Sequence, residues 1–286
     1  MAIKQYILQL ADDSAFTTGV VEEIIDVAVS PLEFLETGLA PNTTRYGRYR
    51  AEDFGGNLSP WSAIVSATTE AFSPGAISSI WAYFEADSYS LSDGANVTSN
   101  WRDKSGNGRH GVITGTPTFE TNELNGQPII RFGADSNDYL TLPSMAALTA
   151  GTIIEVLKVT NVTTDGGNRL GSASDASHYP YFNGTIYDGF GTTARKNDIN
   201  AAITLLNNWH VLRIHSATND WGMFQNGSAA FTTATNTVGF ASVPLIGSNG
   251  TQFMKFDLAG LYLFSTKINS GEITDMGGYI NSKFGV

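Results

Sequence analysis

The feature that most constrains this chain is its punctuation. From Ile80 to Phe264, short runs rich in β-branched and aromatic residues recur, and Gly, Asn, Asp or Ser separates most of them. The runs predict strands over 80–86, 110–114, 127–132, 138–142, 151–160, 168–172, 185–190, 200–205, 209–216, 220–225, 243–247 and 255–264. Many short strands at such spacing argue for a sandwich or jelly roll. The front of the chain reads similarly. YILQLA (6–11) has strand length, and the β-branched run VVEEIIDVAV (20–29) fits two neighbouring strands or one irregular one better than a helix. Residues 38–69 read as turn, strand, turn, strand, broken at Pro41-Asn42 and Gly55-Gly56-Asn57. EAFSPGAIS (70–78) reads as a linker. Only the C-terminus breaks the pattern. Asn269 and Glu272 have capping-box spacing, and Ile273, Met276, Ile280 and Phe284 fall on one helical face.

Composition narrows the function. With 42% hydrophobic residues, the 286-residue chain can bury a sizeable core. The net charge of −11 leaves no cationic footprint for nucleic acid or for an anionic membrane. No stretch approaches the roughly 18 apolar residues of a spanning helix. The absence of cysteine excludes disulfides and thiolate metal sites. MAIKQYILQLADDSAF has neither a long apolar run nor a small-residue cleavage pattern, which predicts no classical signal peptide, and the lack of cysteine is compatible with assembly in a reducing cytosol.

The stretch WRDKSGNGRHG (101–111) places Lys, Ser and Gly together, as a phosphate-binding loop does. Such a loop needs its Lys-Ser after the last glycine and a helix to follow. Here Lys104-Ser105 precede the glycines and no helical pattern follows. The expected role is a structural turn: Asp103 caps it, Gly106 and Gly108 take positive φ, and Trp101 buries its ring.

Two resemblances follow from these pieces. GLAPNTT, a strand and then AEDFGGNLSPWS resemble the second half of a fibronectin type III domain, over about residues 4–69. Arg45 stands where that family usually has a corner tyrosine, and Gly47 where a β-branched core residue is usual. The resemblance begins at the family's third strand, which implies a partial module (1–69) that another chain completes or covers. WRDKSGNG, LNGQPIIRFGADSNDYLTLP, NNWHVLRIHSATNDWGMFQNG and FDLAGLYLFSTKINSGEITDMGGYINSKFGV are similar, in order, to pieces of the concanavalin A-like sandwich of laminin-G and pentraxin type found in phage and bacterial surface proteins. This resemblance covers 79–286 and implies an all-β jelly-roll sandwich closed by a short helix.

Enzymes with this sandwich carry an E-x-D-x-x-E strand, whose alternation turns the carboxylates to one face. The nearest stretch, FEADSYS, offers Glu85 and Asp87 without the third acid, and reads as a solvated strand end or weak cation site. The expectation is no catalytic residue. His210 and His215, five apart on one strand, point to opposite faces; with His110 and His178 they are expected at the surface or an interface. SHYPYFNGTIYDGFG (177–191) is dense in sugar-binding residue types. Tyr179, Tyr181 and Tyr187 are candidates for a stacking platform, with His178, Asn183 and Asp188 as polar partners; the competing reading is a hairpin with core aromatics around an Asn-Gly turn. Asp165, Asn168 and Asp175 are oxygen donors in a Gly-rich loop, where relatives of the sandwich often hold calcium, yet they lack compact D-x-D spacing and also read as solvated turn residues. No other cofactor is implied.

Together the resemblances imply a virion surface protein of phage tail, fibre or head decoration. Residues 1–69 would dock to other virion proteins or sister subunits in a homo-oligomer, and the sandwich would bind host polysaccharide. A purely structural decoration protein, a glycoside hydrolase and a cell-surface adhesin are the alternatives.

Overall fold

The computed structural model describes residues 2–26, 34, 36, 39, 42–133, 137–160, 166–181, 184–199 and 206–286. The chain divides into two compact units, Met1–Phe72 and Ser73–Val286.

The first unit is one antiparallel sheet of β1 (Ile3–Ala11), β2 (Val21–Asp26), β3 (Thr44–Asp53) and β4 (Val65–Thr68), in the order β2-β1-β3-β4. The β3 register sets Leu8 opposite Tyr49 and Leu10 opposite Gly47. Arg48 and Arg50 lie over the Trp61 ring at 4.5 and 4.3 Å. Arg45, where a tyrosine was expected, is held by Glu36 and Asp12. Tyr6, Leu8, Leu10, Tyr49 and Val65 line an open groove of about 710 Å³, and Val65 and Tyr49 are exposed. A sheet with one apolar face needs a second layer to bury it. Of the 20–29 segment, 21–26 is strand and 27–29 lie outside the described residues.

The second unit is an antiparallel β-sandwich. Its strands are β5 (Ile80–Glu85), β6 (Ala95–Asn96), β7 (Val112–Thr114), β8 (Thr118–Leu124), β9 (Gln127–Phe132), β10 (Tyr139–Thr141), β11 (Gly151–Val159), β12 (Arg169–Gly171), β13 (Ile186–Asp188), β14 (Lys196–Ile199), β15 (His210–Ala217), β16 (Asp220–Gln225), β17 (Ser228–Thr233), β18 (Phe240–Ile246) and β19 (Phe256–Phe264); one helix, α1 (Ser270–Phe284), closes it. The large sheet runs β17-β16-β15-β11-β19-β9-β8-β6, with β5 sharing one edge of β19. The small sheet is β12-β18-β10-β7, and β13 pairs with β14 alone. Strands β6, β8, β14 and β17 were not foreseen, β18 begins earlier than expected, and the strand predicted at 200–205 lies outside the described residues.

The central strands explain their own composition. TIIEVLKV and FDLAGLYLF are almost continuously apolar because β11 and β19 are covered on both faces. One face, with Ile153, Leu157, Leu258 and Leu261, meets the small sheet's Leu140, Phe240 and Ile246 in a single core. The other face carries Tyr262, whose ring meets Tyr279 of α1 edge-on. Asn269 and Glu272 make the expected capping box, and Met276, Ile280 and Phe284 are the helix's buried residues. Hairpin turns use the chemistry the sequence advertises: Asn125-Gly126 and Asn226-Gly227 all have positive φ, as a type I′ turn requires.

Residues 101–111 form the turn expected of them. Asp103 Oδ1 accepts from the Tyr83 and Ser105 amides, and Oδ2 from the Arg109 amide and the Ser105 hydroxyl. Gly106 and Gly108 have φ of 83° and 70°. Trp101 is fully buried and donates its indole N–H to the Glu85 carbonyl at 3.1 Å.

Candidate functional site

Residues 166–168, just before β12, and the turn that follows β18 pack against each other and against the start of the 178–187 hairpin. Backbones here pack at distances only glycine permits: a Cβ on Gly171 would sit 1.7 Å from the Gly189 carbonyl oxygen, and one on Gly167 2.7 Å from that of Ser177. In the hairpin, His178 and Tyr187 exchange backbone hydrogen bonds of 2.8 and 3.0 Å, and the Tyr181 amide donates to the Thr185 carbonyl at 2.7 Å. Gly184 at φ 86° lies in the turn, while Asn183 lies outside the described residues.

The side chains expected to form a platform separate into two groups. Tyr179 turns inward and is 5% exposed, so it offers no face to a ligand. Its hydroxyl lies 2.9 Å from His210 Nε2 and accepts from Gln225 Nε2 at 2.9 Å. His210 Nδ1 lies 2.9 Å from the Asn208 carbonyl, which can only accept. The chain therefore runs from Gln225 through Tyr179 to a neutral His210 and on to Asn208, and burial lowers the imidazole pKa. Asp188 is buried too; its carboxylate accepts from the Phe190 amide at 2.7 Å, and burial raises its pKa to about 7.

His178, Tyr181 and Tyr187 stay together, His178 buried and the two tyrosines half-buried. Their centroids are 4.8 to 5.8 Å apart and their planes 70° to 79° apart, edge to face. The Arg195 guanidinium covers the Tyr187 ring at 4.5 Å. The three form a packed aromatic corner rather than a flat stacking surface.

Beside this corner is a polar cleft of about 490 Å³, lined by Arg169, Ser174, Asp175, Ser177, Asn249 and Thr251 among others. Asp175 is its only carboxylate among the described residues. Asn249 is fixed in a turn: its amide donates to the Ser177 carbonyl at 3.1 Å, and its oxygen accepts from the Thr251 and Gln252 amides. Arg169, Asn249, Thr251 and Arg195 were not singled out by sequence; the Ser-Asn-Gly-Thr turn after β18 is their only local signal.

The two calcium candidates among the described residues, Asn168 and Asp175, are differently placed. Asn168 is buried and committed: its amide donates to both Glu155 oxygens at 3.0 and 3.2 Å, and its oxygen accepts from the Gly247 amide. Asp175 is exposed in the cleft, and Asp165 lies outside the described residues. Among the described residues, no three His, Cys, Asp or Glu side chains come together as a metal site. Glu155, unforeseen by sequence, sits in the core of β11, and burial raises its pKa to about 8, with Asp188 adding to the rise.

The Glu85–Asp87 pair is not a solvated strand end. Glu85 is 1% exposed and accepts from Lys104, Lys283, Tyr262 and Tyr279; both lysines also reach Asp87. These bonds lower the Glu85 pKa against the opposing effect of burial. The histidine expectation also changes. His178, His210 and His215 are buried and only His110 is exposed, its Nδ1 accepting from the Asp103 amide. His210 does face the core while His215 lies on the other side of the sheet, against Phe224 and Asp220. Among the described residues, no helix is long and apolar enough to cross a membrane.

No family profile and no curated protein matches the chain. Among solved structures it is similar to domain 4 of AbnA, a GH43 extracellular arabinanase from Geobacillus stearothermophilus, in complex with arabinotriose. The TM-score is 0.53 at 14% identity, over 69% of this chain and 98% of that one. It is also similar to Trypanosoma rangeli sialidase, with a TM-score of 0.51 at 11% identity over 82% of this chain. The match spans only 42% of the sialidase chain. These likenesses bear out the fold as an all-β sandwich, which in this chain is closed by the C-terminal helix α1.

Proposed function

We propose that the chain is a virion surface protein of the tail, fibre or head-decoration kind, whose second unit binds host-surface glycan and whose first unit attaches it to the particle or to sister subunits. One observation carries the glycan reading. A cleft of about 490 Å³ with hydroxyl, amide, carboxylate and guanidinium side chains opens beside an aromatic corner, the mixture that sugar hydroxyls and C–H faces require. The solved domain similar over 98% of its length is in complex with arabinotriose, which supports a sugar ligand for the same fold. The open apolar groove of the first unit supports the docking role. The packing of Tyr181, Tyr187 and Arg195 on one another favours a second reading, a structural decoration protein without a glycan ligand.

A glycan array probed with the whole chain separates the two. Binding is expected, and Tyr181→Ala is expected to weaken it at least tenfold while the circular-dichroism spectrum is unchanged. No binding to any glycan would leave only the structural reading. For the virion role, capsid or tail genes are expected beside the gene for this chain; a locus without them counts against it.

A further inference from the structure

We infer that the cleft beside β12 selects an acidic sugar, one bearing a carboxylate or a sulfate ester, and that Arg169 is its principal contact. This deepens the glycan reading and rests on it.

The argument starts from how the two arginines of this region are held. Arg169 Nη2 donates to the Val243 carbonyl at 3.2 Å. The 249–251 turn closes over the same guanidinium, and at Gly250 (φ 103°) a Cβ would come 2.8 Å from Nη1. Only glycine lets the turn approach so closely in that conformation. Arg195, stacked on Tyr187, donates from Nη1 to the carbonyl of Ala176, itself a cleft residue, at 2.7 Å. Both are oriented by backbone carbonyls, and neither has a carboxylate partner among the described residues. Elsewhere in the unit, Lys104, Arg131, Lys158, Lys267 and Lys283 are each paired with Asp or Glu. Arg102, Arg109, Lys196 and Arg213 also lack a carboxylate among the described residues, but none of them lines this cleft; Arg109 and Arg213 lie over Trp81 and Phe224, and Lys196 donates to the Thr235 carbonyl.

A guanidinium has five N–H donors in a fixed fork that matches an oxyanion, and charge-assisted pairs of this kind are the strong ones. Arg169 spends one donor on Val243 and keeps the charge uncompensated at the wall of a polar cleft. Asp175, in the same cleft, supplies the opposite need: an acceptor for sugar hydroxyls. It also opposes any anion that brings no hydroxyl to offset it. The pair therefore favours an acidic sugar over both a neutral sugar and a bare inorganic anion.

The test uses the full chain with uronic acid oligosaccharides, the same oligosaccharides after carboxyl reduction, sulfated galactan oligosaccharides with their desulfated counterparts, and inorganic sulfate. An acidic series is expected to bind at least tenfold more tightly than its neutral counterpart; whichever it is, uronate or sulfate ester, identifies the source of the charge. Arg169→Gln is expected to abolish that preference, and sulfate ion is expected to compete poorly. Equal binding of acidic and neutral forms, or an acidic preference that survives in Arg169→Gln, overturns the inference and leaves the glycan reading intact. Absence of binding to any sugar, acidic or neutral, overturns both. The reduced and desulfated controls decide the matter even if Arg169→Gln does not fold.

Discussion

Glu155 gives the sharpest test of the core. Its carboxyl is fully buried, and among the described residues its partner is the Asn168 amide. Among the described residues no cation pairs with it, and Asp188 acts on it as a second carboxyl. Its folded pKa of about 8 lies above the ordinary 4.5, so between these values the folded protein keeps a proton that the unfolded chain has released. Stability from this group is thus whole below pH 4.5, falls as pH rises toward 8 and levels off above it. At 1.36 kcal/mol per pH unit the full fall is up to about 5 kcal/mol. Asp188, at about 7 against 3.8, acts in the same direction. His210 and His215 act oppositely but only below 6.5: their lowered pKa values make the unfolded chain the better proton binder there. The clean window is therefore pH 6.5 to 8. Glu155→Gln removes the charge and keeps an oxygen for Asn168. It is expected to be more stable than the natural chain at pH 8 by about 2 kcal/mol or more, with the advantage shrinking toward pH 5. Urea unfolding followed by tryptophan fluorescence reads this unit well, since Trp81, Trp101, Trp209 and Trp221 all lie within it. A difference between variant and natural chain that is independent of pH from 5 to 8 would refute the reasoning.

Two further perturbations probe the elements around the core. Glu85→Ala leaves Lys104 and Lys283 with Asp87 as their carboxylate and removes the acceptor that Tyr262 and Tyr279 share, an expected loss below the about 3–5 kcal/mol of a fully broken buried ion pair, which a lowered thermal midpoint would report; an unchanged midpoint would mean that α1 is not tied to β5 by Glu85. Tyr179→Phe leaves Gln225 and His210 facing a ring edge without their shared hydroxyl, an expected loss of about 1–3 kcal/mol by urea unfolding; no loss would mean that the relay contributes nothing.

Local chemistry was what the sequence made legible. The Asn-Gly turns, the capping box at Asn269 and the Asp103 turn each depend on residues within a few positions of one another, and each forms as its residue types require. The misreadings share a different cause. Glu85 looked like a solvated strand end because its partners Lys104 and Lys283 lie 19 and 198 residues away. Tyr179 and Tyr187 looked equivalent in YPYFNGTIY, yet the fold turns one onto His210 and lays Arg195 on the other. Glu155 stands in the middle of TIIEVLKV, where an acid inside an apolar run is a visible anomaly, but nothing in that run names Asn168 as its partner. Strand alternation fixes which face a side chain takes, and it placed His210 and His215 on opposite sides. It does not say what covers that face. The cover comes from loops whose close approach is licensed by Gly167, Gly171 and Gly250, and a glycine in a sequence announces freedom without a destination. The same three glycines shape the candidate cleft, so the part of the molecule that would meet a ligand is the part whose geometry depends most on contacts distant in sequence.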